Sequence, residues 1–190
     1  MNYSAVVLAG GQSRRMGRDK ATMILGGRSL LAHQIETLKR LAPTRILCSV
    51  AAGQTVESLE CSLIQDEEPN LGPLGAIHTV LTQTSDPFLL VLAVDMPRMT
   101  SDYFHLLLKR CETGCGAVPM RGQGYEPLAA VYPREALRLA KSALARRNYS
   151  MQRFVSECVE ERCLSVVPIT AEEEDLFANW NRPEDAPLAF

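Results

Sequence analysis

Between Leu8 and Lys20 the chain reads LAGGQSRRMGRDK, which sets Gly10, Gly11 and Gly17 among Arg14, Arg15, Arg18 and Lys20. Glycine lets backbone N–H groups approach a phosphate closely, and guanidinium and ammonium groups supply the charge that a phosphate needs. The stretch follows directly on the apolar run Ala5–Leu8, which reads as a buried strand. A solvated surface loop is the plainer alternative, but four cations packed behind a buried strand favour an anion site. Two common phosphate loops are absent. No residues give G-x-x-x-x-G-K-[ST], and the adjacency of Gly10 and Gly11 rules out G-x-G-x-x-G.

Two carboxylates complete the candidate chemistry. Asp95 ends the apolar run Phe88–Val94 and stands two residues before Pro97. Asp-x-Pro is ordinary turn chemistry. Opposite a cationic phosphate loop the same carboxylate suits Mg²⁺, which binds through one or two carboxylates together with substrate phosphates and water. Asp66 also ends an apolar run, beside Glu67 and Glu68. It is either a turn residue or an acceptor for the N1–H and exocyclic amine of guanine, and the residues alone do not choose between them.

The elements that must position these groups alternate between apolar runs and helical patterns. After a brief extended piece at 22–25 that ends at Gly26-Gly27, Ser29 is a plausible N-cap. Leu31, Ile35, Leu38 and Ala42 then recur at helical spacing until Pro43 stops the pattern. Strands are predicted at 45–50 and 61–65 around a weakly signalled helix at 54–59, and a helix runs from the turn at 70–75 to Thr82. Phe88–Val94 is continuous enough for the middle of a parallel sheet. Thr100, Ser101 and Asp102 cap a helix with Tyr103, Leu106 and Leu107 inward. Strands at 116–119 and 127–132 flank a hairpin turn at Gly122-Gln123-Gly124. Helices at 134–146 and 151–158 and a strand at 164–168 precede the tail. The alternation predicts a single α/β domain over 1–190, a three-layer, doubly wound, mostly parallel sheet. Ligands in such folds sit at the carboxyl ends of the strands, where the first loop, Asp66 and Asp95 all fall.

A net charge of −2 over 190 residues argues against a general nucleic-acid binder. No apolar run is long enough to span a bilayer, and the N-terminus lacks the pattern of a secretory signal, so a cytoplasmic protein with no membrane contact is expected. The six cysteines are then expected as reduced thiols, Cys111 and Cys115 included. His33, His78 and His105 fall inside predicted helices as packed or solvated side chains. Neither a Ser–His–Asp nor a Cys–His arrangement is apparent.

In order, the chain carries LAGGQSRRMGRDK, the Asp66 strand end, Gly72-Pro73-Leu74-Gly75, Val94-Asp95-Met96-Pro97, EPLAAVY at 126–132 and NWNRPED at 179–185. These strings resemble the motifs of the molybdenum cofactor guanylyltransferases over nearly the whole length. The resemblance implies a nucleotide-diphospho-sugar-transferase-like fold, with Mg²⁺ as cofactor and GTP and molybdopterin as substrates. Transient contacts with molybdopterin-supplying or molybdoenzyme-chaperone proteins are implied as well. It also implies site roles: Leu8, Ala9, Gly10 and Gly11 line the GTP pocket, and Arg15 and Lys20 stabilise phosphate charge. Asp66 meets the guanosine, Asp95 binds Mg²⁺ and nucleotide, and Asn179 and Asn181 face the pterin or the metal. Ser49 stands where the family often has Asn, and Arg182 where Thr is usual. A CTP-dependent molybdopterin cytidylyltransferase and a sugar-phosphate nucleotidyltransferase are the enzymatic alternatives. A nucleotide-binding module without turnover is the non-enzymatic one.

Overall fold

A computed structural model describes residues 1–10, 23–50, 60–65 and 71–180. The first strand, β1 (Tyr3–Leu8), is buried along its whole length and pairs on both sides. A side chain on either face of such a strand meets a helix layer, which is why Ala5, Val6, Val7 and Leu8 are apolar without alternation. One side of β1 carries β4 (Arg45–Val50) and the other β6 (Phe88–Ala93), both parallel to it. Beyond β4 lies β5 (Ser62–Gln65), also parallel.

In the far half of the sheet a reversed strand is inserted. β9 (Ala129–Pro133) runs antiparallel to β6 and to β7 (Gly116–Arg121), and β10 (Leu164–Pro168) closes that edge parallel to β7. With the short β8 (Gly124–Tyr125) on β7, the eight-stranded sheet has the order β10-β7-β9-β6-β1-β4-β5. The expected turn at Gly122 is present, and Gly122 takes a φ of +58°. Where β7 starts, a Cβ on Gly116 would lie 2.0 Å from the Val131 carbonyl oxygen, so only glycine fits that approach.

Helices cover both faces. On one, α1 (Leu30–Lys39) and α3 (Ser101–Arg110) pack with Phe177 and Trp180 on alternate residues of β1 and β6. On the other, α2 (Gly72–Gln83), α4 (Ala136–Ala145) and α5 (Met151–Glu160) cover Val6, Leu8, Leu89 and Val91. The helix caps are those expected for two of them: the Ser29 and Thr100 hydroxyls accept from the N–H groups of Ala32 and Tyr103. The two-residue turn Gly26-Gly27, both at positive φ, joins β2 (Ile24–Leu25) to β3 (Arg28–Ser29) and delivers the chain into α1.

Three local expectations are corrected. α1 ends at Lys39, and Ala42 is an exposed residue at φ +49° rather than the last apolar position of the helix. The inward face of α3 is Tyr103, Phe104 and Leu107, because those three fall within one face at 100° per residue. Leu106 lies at its flank, partly buried. β9, expected over 127–132, begins at Ala129. The helix expected at 54–59 lies outside the described residues. None of the six cysteines forms a disulfide.

Candidate active site

The parallel strands β1, β4, β5 and β6 end on one edge of the sheet, and antiparallel β9 begins there. Register brings their ends level: Leu8 lies opposite Ser49 on one side and Ala93 on the other, and Leu92 lies opposite Ala129. The start of the glycine stretch is fixed at this edge. The Ser49 carbonyl oxygen accepts from the N–H groups of both Ala9 and Gly10 at 2.9 Å, and the Leu8 carbonyl accepts from the Val94 N–H at 3.1 Å. Leu8 and Ala9 are buried and form the floor of the edge, while Gly10 is the first partly exposed residue. Ser49, the departure noted above, is fully buried, and its carbonyl is what holds the loop base.

Asp95 stands two residues past the end of β6, in a turn, and is partly exposed, flanked by the buried Val94 and Met96. Four elements secure its turn. The Ala93 N–H donates to the Leu128 carbonyl at 2.8 Å, the Val94 N–H to β1, and the Trp180 N–H to the Asp95 carbonyl at 2.8 Å. From α1, Gln34 Nε2 donates to the Met96 carbonyl at 2.7 Å, and His33 Nε2 lies 3.0 Å from the Pro97 carbonyl. The bond from Trp180 draws the tail across the edge, so that exposed Asn179 adjoins Asp95 in space although 84 positions separate Asn179 and Asp95 in the chain.

The EPLAAVY string proves to be β9 and its lead-in. The Tyr132 hydroxyl donates to the Pro127 carbonyl at 2.7 Å, which fixes the Glu126–Leu128 segment whose Leu128 carbonyl holds β6. Glu126 pairs with Arg121 at 3.2 Å, its side chain 15% exposed. Burial pushes its carboxyl above the ordinary value, and the Arg121 charge draws it part of the way back. Glu126 and Trp180 fall within the EPLAAVY and NWNRPED strings, which give them no individual role, and Gln34 falls in no motif. Gln34 carried one sequence signal, a polar residue beside Ile35 on the apolar stripe of α1.

Leu8, Ala9, Gly10, Asp95 and Asn179 therefore meet at one edge. Gly11, Arg15, Lys20, Asp66 and Asn181 lie outside the described residues, as do Arg14, Arg18 and Arg182. Among the described residues no three His, Cys, Asp or Glu side chains form a metal cluster. The donors here do not make a protein-only cage. A carboxylate just past a strand end does fit Mg²⁺ shared with substrate phosphate and water. Of the histidines, His33 is engaged in the Asp95 turn, His78 is partly buried on α2 and His105 is exposed.

The mostly parallel sheet covered on both faces, with the glycine loop base and the Asp95 turn side by side at one edge, is a fold shared with solved nucleotidyltransferases. A nucleotidyl transferase from Methanothermobacter thermautotroptrophicus matches the fold with a TM-score of 0.79 at 14% identity, covering 97% of this chain and 94% of that one. Molybdopterin-guanine dinucleotide biosynthesis protein A from Archaeoglobus fulgidus matches with a TM-score of 0.73 at 22% identity, covering 96% and 94%. Residues 5–162 match the family model of the MobA-like NTP transferase domain, and the chain belongs to that family. A relative from Opitutus terrae named probable molybdenum cofactor guanylyltransferase is 40% identical over 185 residues, 96% of this chain and 92% of that protein. Among the described residues no helix is long and apolar enough to cross a membrane.

Proposed function

We propose that this chain transfers GMP from GTP to the terminal phosphate of molybdopterin, forming the guanine dinucleotide and releasing pyrophosphate. The relatives' shared name supports the substrates. The observation that carries the site is the meeting of the loop base, the Asp95 turn and the tail at one strand edge. An oxygen of the molybdopterin phosphate forms a bond to the α-phosphorus of GTP as the α–β bridging bond breaks, and that electron pair leaves on pyrophosphate. The attacking phosphate is ionised at neutral pH, so no strong general base is required. Charge repulsion and alignment dominate the barrier.

Within this reading Leu8, Ala9, Gly10 and Gly11 shape the nucleotide pocket, and Arg15 and Lys20 neutralise phosphate charge. Asp66 accepts from the guanine edge, and Asn179 and Asn181 meet the pterin or the metal. Asp95 would hold Mg²⁺, which would supply Lewis-acid stabilisation of phosphate charge. The test is pyrophosphate release from purified enzyme with molybdopterin and either GTP or CTP. Release with GTP far exceeding that with CTP is expected. Equal or greater release with CTP would transfer the assignment to a cytidylyltransferase.

A further inference from the structure

We infer that Gln34 is a positioning residue for the Asp95 turn, with His33 beside it, and that its amide serves alignment rather than stability. The inference deepens the reading of Asp95 as the metal-holding carboxylate and rests on it. Gln34 is fully buried in α1, a position where a charged or amide side chain needs a reason. Its Nε2 donates to the carbonyls of Met96 at 2.7 Å and Ala93 at 3.4 Å, the two that bracket Val94 and Asp95. A carbonyl only accepts, so the amide NH₂ must face the turn. By the same logic the His33 nitrogen facing the Pro97 carbonyl carries a proton.

Neither bracketing carbonyl depends on Gln34 for a partner. The Met96 carbonyl also accepts from the Met99 N–H at 3.1 Å, and the Ala93 carbonyl from the Met96 N–H at 3.4 Å. Among the described residues Gln34 in turn leaves its own Oε1 buried with no hydrogen-bond partner. An orphaned buried acceptor costs stability, and methionine would fill a similar volume without one. Stability alone therefore does not account for an amide here. Stiffening of the turn does.

The placement also gives the amide something to transmit. α1 begins where the chain returns from the glycine-rich stretch, its first N–H bonded to the Met23 carbonyl at 2.7 Å. One rigid helix thus joins the segment following the phosphate loop to the turn that carries the carboxylate.

The experiment is Gln34→Met. Its Tm should equal or exceed that of the wild type, while the Met96 amide exchanges hydrogen about tenfold faster, as local opening becomes easier. Mn²⁺ used as a spectroscopic stand-in, titrated with GTP present, should half-saturate at a concentration about fivefold higher by electron paramagnetic resonance. Wild-type exchange in Gln34→Met, or a Tm that falls, would overturn the inference and leave Gln34 a packing residue. Asp95→Asn in the same titration separates the two readings. Unchanged Mn²⁺ binding there removes the metal assignment, whereas exchange in Gln34→Met decides the clamp without any metal.

Discussion

In the proposed reaction Asp95 and Lys20 act through charge. Asparagine in place of Asp95 keeps the shape and the backbone bonds of the turn but removes the anion. Activity at ordinary Mg²⁺ should fall by about 10²-fold or more with Tm unchanged, as for loss of one preorganised electrostatic group. Lys20→Ala should lose guanylyl transfer to a similar extent of about 10²-fold, and near-wild-type turnover would take Lys20 out of the phosphate site. Glu126 offers a pH test with a definite sign. Its carboxyl is raised in the folded protein, chiefly by burial. The protonated form's advantage is fully present below the unfolded value of about 4.3 and is lost as pH rises through the raised one. Glu126→Gln, never charged, should therefore match the wild type near the acid end and have the higher Tm at neutral pH. A wild type more stable at neutral pH would give the Arg121 pair the greater weight.

At the scale of elements, the tail does what a motif string cannot announce. Residues 170–180 cross α3, where Phe177 is buried and meets Tyr103 edge-on with ring centroids 5.1 Å apart, before Trp180 bonds the Asp95 carbonyl. Phe177→Ala should cost about 3–5 kcal/mol of stability by large-to-small substitution in a packed site. It should also lower turnover beyond the unfolded fraction, because Asn179 and the Asp95 turn lose their brace. Thermal melts and steady-state kinetics on one preparation test both parts. β9 makes a similar point from the other side. EPLAAVY carried much of the family resemblance, yet its observed work is structural: it fills the gap between β6 and β7 and braces the end of β6.

For the molecule as a whole, the sheet separates two apolar layers, and only one of them contains the tail that reaches the site. Phe154 lies in the other, stacked on Tyr132 with centroids 5.8 Å apart. Phe154→Ala should cost a comparable 3–5 kcal/mol, but its remaining folded fraction should turn over at the wild-type rate. A turnover loss equal to that of Phe177→Ala would show that general loosening, not the tail, sets the rate. Hydrophobic period and punctuation by Gly and Pro determined the strands, the main helices, the caps at Ser29 and Thr100 and the edge on which Asp95 falls, because those depend on neighbours within a few residues. Sequence order also carried the family. It could not place β9 between β6 and β7, lay Asn179 beside Asp95 or turn the Gln34 amide onto the Met96 carbonyl. Those contacts join residues tens of positions apart, and only the closed packing of helices on the sheet sets their distances.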